Sequence, residues 1–349
     1  MHIAISTYSS AQNYGALLQS HALATYLKTQ GHNSELLFLS PFDARRLKPR
    51  KHWKDIAAAL FHFAQNFRRV ARYEQFIREY LPMSFPVRTD ADWQRANETY
   101  DAFISGSDQV WNCLLGPNRA FFLDKVHDNK LKCSYAASFG TNHVPEQHRK
   151  AAASLISRFD HISVRESTGR DIVLDLTGRE CNVCIDPVFL MEPEYWKRLA
   201  VAPKTRKPYA FVYSTESSEA LNAAVRGYVQ HTGNAVITTH AIPGTSCQTR
   251  KDIGPREFLG HILQADCVVS NSFHALAFAI IFGKKVCVVP HSQKSDRMAC
   301  LLEEANLTEC WWEEGNFHMA ETNAPGKGLE RLQSSIADSK AYLDKSLKQ

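Results

Sequence analysis

The side chains best suited to chemistry stand where apolar runs end. In the stretch Ala265–Lys294, ADCVVSNSFHALAFAIIFGKKVCVVPHSQK, the strand-like run Cys267–Ser270 leads into three small polar cap-formers, Ser270, Asn271 and Ser272. His274 then opens an apolar stretch, Ala275–Phe282, that Gly283 stops, and Lys285–Pro290 reads as a second strand with His291 and Lys294 beyond its end. Strand, short loop, helix, strand is the unit of a parallel sheet. In such sheets ligands sit outside the carboxyl ends of the strands, near helix N-termini. Asn271, Ser272 and His274 occupy that location. A histidine at the mouth of so apolar a helix is either a cap or a proton carrier, because imidazole titrates near neutral pH.

Three further clusters follow strand ends. Gly106-Ser107-Asp108-Gln109-Val110-Trp111-Asn112 comes after the strand Asp101–Ser105; the glycine permits a tight turn, and the hydrogen-bonding groups around one tryptophan suit sugar hydroxyls. The strand His161–Val164 delivers Arg165 and Glu166; the arginine either grips a carboxylate or phosphate with two parallel bonds or pairs structurally with Glu166 or another acid. Asn13 and Gly15 open the first helix, where amides could face an anion or Asn13 could simply cap the helix. Cys181 and Cys184 form a lone C-x-x-C without a second pair or a histidine at ligand spacing, so no zinc site is expected and two buried thiols are.

The elements that must position these groups alternate along the chain. Strands at His2–Thr7 and Ser34–Leu39 flank a helix from Ala16 to Gln30, a βαβ opening that lacks G-x-G-x-x-G. Further strands are expected at Lys132–Ala137, Arg179–Ile185, Tyr209–Thr215 and Ala235–His240, and helices at Pro145–Phe159, Glu219–Gln230, Gly254–Gln264, Asp296–Ala305 and Leu329–Leu347. Met191–Pro208, with three prolines and Lys204, Arg206 and Lys207, reads as a linker. Two α/β domains follow: residues 1–195, with a basic helical insertion at 42–92 and joined by the C-terminal helix 325–349, and residues 205–315.

The 349 residues are 44% apolar and 22% charged, enough for two globular domains. The net charge of +5 suits an anionic small substrate and is too dispersed for nucleic acid. Nine scattered cysteines and an opening HIAIST without a signal-peptide pattern lead us to expect a cytoplasmic protein, and no apolar run reaches the ~18 residues of a membrane span. The insertion gathers Arg45, Arg46, Lys48, Arg50, Lys51 and Lys54 ahead of Ile56–Phe67, then Arg68, Arg69 and Arg72. It is either a packed helix with one solvated face or a peripheral contact with the anionic inner face of a membrane.

NYGALLQ (Asn13–Gln19), GSDQVWN (Gly106–Asn112), SYAASFG (Ser134–Gly140), SVRE (Ser163–Glu166), DPVFL (Asp186–Leu190) and SNSFHALAFAIIFGK (Ser270–Lys284), in this order, resemble the polysaccharide pyruvyl transferases. The resemblance implies two Rossmann-like domains facing a cleft, like B-type glycosyltransferases. It also implies transfer of a pyruvyl group from phosphoenolpyruvate onto two hydroxyls of a sugar, forming a ketal and releasing phosphate during exopolysaccharide or capsule synthesis. The implied partners are phosphoenolpyruvate and a sugar acceptor, which a lipid could carry, with neither cofactor nor metal. Arg165, His274 and Lys294 stand at the family's arginine, histidine and lysine. The implied donor site is Arg165, Lys294, His274, Ser272, Asn271, Asn13 and Gly15, with His274 as proton donor. The acceptor site is Asp108, Gln109, Trp111 and Asn112, with Asp108 as base. Many members carry arginine and leucine before the histidine; here Ser272 and Phe273 stand there, and Lys284, Lys285 and Arg297 are candidates for the replaced cation. Two alternatives remain: a nucleotide-sugar glycosyltransferase of the same architecture, with Glu257 or Glu303 as ribose partner, and a non-catalytic sugar-binding protein.

Overall fold

The computed structural model describes residues 1–10, 12–39, 56–205, 208–291, 296–313 and 327–348, with side chains from 64 and from 297 in the segments that begin at 56 and 296. Lys294 and the basic residues from Arg45 to Lys54 lie outside the described residues. The chain divides into two compact units. The first comprises the described residues of Met1–Phe42, Ile77–Met191 and Gln333–Gln349; the second comprises those of Asp43–Phe76 and Glu192–Leu332.

In chain order the elements begin with β1 (His2–Ser6), α1 (Tyr14–Thr29), β2 (Asn33–Phe38), α2 (Ile56–Tyr80), β3 (Met83–Pro86) and α3 (Asp90–Thr99). Then come β4 (Ala102–Ser105), β5 (Leu131–Ser134), α4 (Glu146–Ile156), β6 (Ser163–Val164), α5 (Ser167–Thr177) and β7 (Asn182–Val183). The first unit's sheet is parallel with order β3-β2-β1-β4-β5. β6, paired with β7, is bridged to the β5 segment through Cys133–His161 and Ala137–Val164. Its central strands are buried on both faces, which is why β1 and β4 read as continuous runs of apolar and small residues.

The second unit holds α6 (Pro193–Leu199), β8 (Tyr209–Tyr213), α7 (Glu219–Thr232), β9 (Ala235–Thr238), β10 (Gln248–Thr249) and α8 (Pro255–Gln264). They are followed by β11 (Cys267–Ser270), α9 (Phe273–Ile281), β12 (Lys285–Val288), α10 (Asp296–Glu304) and α11 (Lys327–Arg331). Its sheet repeats the same topology, β10-β9-β8-β11-β12, again all parallel. The last helix, α12 (Gln333–Leu347), is sewn into the first unit: Tyr342 Oη donates to the Ser134 carbonyl at 2.9 Å and the Ile185 amide donates to Ser339 Oγ at 2.9 Å.

Two bounds differ from the sequence reading. Met191–Pro208 is no plain linker, because Pro193 starts α6 at its first turn, where a missing N–H costs nothing. Trp196 of that helix is fully buried, edge-on to Phe278 of α9 at 5.0 Å. The described part of α2 up to Phe76 belongs to the second unit, whereas the sequence reading placed 42–92 with the first. Its anchor is Arg72, whose Nε pairs with Glu257 Oε1 at 3.2 Å and whose Nη1 donates to the Asp252 carbonyl at 2.6 Å. Among the described residues no helix is long and apolar enough to cross a membrane.

Each unit buries a histidine in its core. Burial pushes His21 of α1 down to about 4, although its Nδ1 lies 2.8 Å from the Tyr80 carbonyl. Burial first, and then the charge of Arg250, pushes His261 of α8, stacked on Phe211, down to about 4. Both values lie below the ~6.5 of an unfolded histidine. The unfolded chain therefore binds more protons, and this stability is present above ~6.5 and lost as pH falls toward about 4. Thermal unfolding should show a lower melting temperature at pH 5 than at pH 7, and His261→Gln should flatten that drop; a pH-independent melting temperature would contradict both assignments.

Candidate active site

In sheets of this topology the strand order reverses at one point, and the crevice outside the carboxyl ends of the strands beside that point takes the ligand. In the first unit the point lies between β1 and β4, so the groups concerned follow Ser6 and Ser105. The two chain segments run close together: a Cβ on Gly106 would stand 2.9 Å from Thr7 Cβ, a contact only glycine avoids. Gln19 Nε2 of α1 donates to Thr7 Oγ1 at 3.0 Å, and Thr7 Oγ1 donates to the Ser107 carbonyl at 2.9 Å. Asp108 comes next, with φ +69, its carbonyl accepting the amides of Val110 at 2.7 Å and Ser138 at 3.0 Å. A left-handed aspartate is tolerated by its short polar side chain but costs ~1 kcal/mol or more.

Behind this turn lies a buried ionic network. Arg165 Nη1 donates to Asp186 Oδ2 at 2.7 Å and its Nε to Glu166 Oε1 at 3.3 Å; the arginine side chain is 2% exposed. Ser107 Oγ donates to the same Asp186 oxygen at 3.2 Å, and Ser138 Oγ donates to Glu166 Oε1 at 2.5 Å. Asp186 Oδ1 accepts the Val188 amide at 3.1 Å and so caps the short 3₁₀ turn Pro187–Leu190. Burial works against the guanidinium's charge, but the carboxylates of Glu166, Asp186 and Asp108 outweigh it and hold its pKa above the ordinary value.

In the second unit the reversal lies between β8 and β11. Ser270 Oγ donates to the Tyr213 carbonyl at 2.5 Å and accepts the Ser272 amide at 3.0 Å. Asn271 Oδ1 accepts the Thr215 amide at 2.9 Å and its Nδ2 donates to the Glu216 carbonyl at 2.9 Å, tying the loop after β8 to the loop after β11. Ser272 is then the N-cap of α9, and His274, 7% exposed, is the only ionisable group in a helix whose nine residues are all buried. Glu216 Oε1 lies 3.4 Å from His291 Nδ1, past the end of β12. The positive end of a helix and its first amides favour an anion at this point.

The sequence profile of the polysaccharide pyruvyl transferases matches residues 13–293. The chain belongs to the polysaccharide pyruvyl transferase family. Family membership makes it a transferase. No curated protein matches the sequence. Among solved structures it is similar to a Listeria monocytogenes protein assigned as a UDP-N-acetylglucosamine 2-epimerase: TM-score 0.55, 10% identity, covering 99% of this chain and 90% of that one. It is also similar to another UDP-N-acetylglucosamine 2-epimerase (TM-score 0.52, 10% identity, 99% and 90% covered) and to S. aureus MnaA solved with UDP (TM-score 0.50, 9% identity, 98% and 88% covered). At these identities the likeness is one of fold, the Rossmann-like α/β architecture shared with B-type glycosyltransferases.

In this pyruvyl transferase family member several expected site residues have other tasks. Trp111 is fully buried, stacked on Phe122 at 5.5 Å with Phe139 and Phe159 edge-on at 5.6 and 5.3 Å, so it is core and not a platform for sugar. Gln109 folds over Gly140, and Asn112 Oδ1 accepts the Leu114 amide at 3.1 Å. Asp108, half-buried, follows Ser107 at the switch point, in the left-handed conformation. Asn13 caps α1 through the Ala16 amide at 3.2 Å, with Gly15 buried inside the helix. Asn271 ties loops together. Arg165 is held by two carboxylates, so its task is structural rather than that of a donor clamp.

Lys284, Lys285 and Arg297, the candidates for the replaced cation, all lie among the described residues. Lys284 precedes β12 and Lys285 opens it, at the amino edge of the sheet, away from the ligand edge. Arg297 Cζ lies 6.0 Å from the centre of the ring of Phe273, the residue before His274. Sequence reasoning missed Ser107, Ser138, Thr7 and Glu216; small hydroxyls carry no pattern, and only Asp186-Pro187 offered a signal, an acid placed before a helix-opening proline.

Removing Arg165 strands two buried carboxylates. Arg165→Leu should cost about 3–5 kcal/mol in denaturant unfolding followed by tryptophan fluorescence. An unchanged unfolding midpoint with a weakened affinity for phosphoenolpyruvate would instead restore the donor-clamp role.

Proposed function

We propose that this enzyme moves the pyruvyl group of phosphoenolpyruvate onto two hydroxyls of one sugar unit in a polysaccharide or its precursor. His274 gives a proton to the methylene carbon, which becomes the methyl group and leaves the central carbon electron-poor. One sugar hydroxyl attacks that carbon as its proton passes to Asp108. The C–O bond to phosphate breaks, and the second hydroxyl closes the ketal. The two hydroxyl protons balance the new methyl hydrogen and the proton on the departing phosphate, so neither oxidant nor water is consumed.

The observation that carries this reading is the setting of His274. A polar ring within a wholly buried apolar helix is a burden on folding, and it stands in the first turn of α9, where anions are favoured. Arg297 adds a positive charge beside Phe273 for the donor's carboxylate or phosphate. A nucleotide-sugar reading gains less: Glu257, an acid considered for a ribose, is engaged by Arg72 and by the Gly254 amide at 3.0 Å. Within the same proposal the acceptor is carried at a membrane surface, where Phe67, 63% exposed, would meet lipid.

The test is phosphate release from phosphoenolpyruvate in the presence of a lipid-linked and UDP-linked sugar precursor fraction, with UDP release followed in parallel. We expect phosphate and no UDP; UDP alone would establish the glycosyltransferase reading. His274→Gln keeps a hydrogen-bond donor without a transferable proton, and should hold donor affinity while turnover falls ~10²-fold or more. Arg297→Ala should raise the KM for phosphoenolpyruvate by roughly tenfold or more, the worth of one charge-assisted contact. Near-full turnover in His274→Gln would remove the acid role.

A further inference from the structure

With Trp111 in the core, another aromatic is left at the first unit's switch point. Tyr8 stands two residues past β1, in the polar loop before α1, and it is 36% exposed. Its ring is fixed from one side by Phe121, edge-on at 4.6 Å and 64°. The 120–121 segment is itself held to β1, because Ser6 Oγ donates to the Ala120 carbonyl at 2.9 Å. Across the switch point stands Asp108, in its left-handed conformation, on the segment that Thr7 and Ser107 lock to β1. Thr7, the residue before Tyr8, donates to the carbonyl of Ser107, the residue before Asp108, at 2.9 Å, so the two side chains leave adjoining segments; burial first, and then the Asp108 charge, raise the Tyr8 pKa.

An aromatic face and a carboxylate at one switch point match the two sides of a pyranose. The face of an aromatic ring is negative and accepts the weakly positive C–H groups of one sugar face, while a carboxylate accepts bonds from hydroxyls. Phe121 restricts the ring before any ligand arrives, which lowers the entropy cost of stacking. We infer that Tyr8 is the acceptor platform: a pyranoside stacks its C–H face on the ring and turns its hydroxyls toward Asp108. This inference rests on the pyruvyl-transfer reading for its purpose, but sugar binding can be measured without the donor.

The experiment is saturation-transfer NMR of the full chain with three probes, methyl β-galactoside, methyl β-glucoside and methyl N-acetyl-β-mannosaminide, in the absence of phosphoenolpyruvate. We expect at least one probe to receive saturation on the protons of one ring face. Tyr8→Ala should weaken its binding about three- to tenfold, and Tyr8→Phe, which keeps the ring, should retain it. Matched thermal melts show whether the variants fold. Equal binding by wild type and Tyr8→Ala, or no binding of any probe by the wild type, overturns the platform. Phosphate release from phosphoenolpyruvate by the wild type is scored separately: if it proceeds while Tyr8→Ala leaves sugar binding unchanged, the function stands and the platform falls.

Discussion

A guanidinium out of water must be matched by carboxylates, and the first unit is arranged around satisfying that need. Arg165 sits 2% exposed between Glu166 and Asp186, each of which is held by further donors. An unpaired charge at this depth would cost several kcal/mol, so the two acids and the serines on them are fixed together. Ser107 and Ser138 transmit that rigidity to the segments after β4 and β5, and Gln19 reaches the same turn through Thr7. Asp108 can therefore be held in a conformation that most residues avoid, because the amides and hydroxyls around it leave no relaxed alternative.

The second unit solves a related problem with neutral groups. It repeats the strand order of the first, and its switch point is stitched by the amide of Asn271 and the hydroxyl of Ser270 instead of by charges. The α9 helix that starts there is apolar throughout except for His274, which suits it to the centre of a layered α/β unit and makes the histidine its one ionisable group.

The parallel α/β class was legible because buried parallel strands and capped helices leave strong patterns, as in Cys267–Ser270, Ser272 and Gly283. Short elements were not: α6 has seven residues and hides among prolines, and the four-residue strand Met83–Pro86 pairs only at the sheet edge. The site divided in the same way. The position of His274 followed from periodicity alone. The tasks of Trp111 and Arg165 depended on what lies behind them: three aromatic rings distant in sequence in one case, and in the other the neighbouring Glu166 together with Asp186, which is distant in sequence. Residue type and spacing show that a tryptophan or arginine is near a strand end, but not which way it faces. Tyr8 was passed over for the opposite reason, being a single aromatic in a polar loop.

The central claim is chemical, that a donor carbon becomes a ketal carbon on a sugar. It is tested most directly by incubating the enzyme with phosphoenolpyruvate labelled with carbon-13 at its central carbon and the sugar precursor fraction, then recording the carbon spectrum of the purified saccharide. The account predicts that the label appears as a quaternary ketal carbon bonded to two sugar oxygens, with one phosphate released per ketal formed. Label recovered only as free pyruvate or unreacted donor, with a sugar transferred from a nucleotide instead, would contradict it.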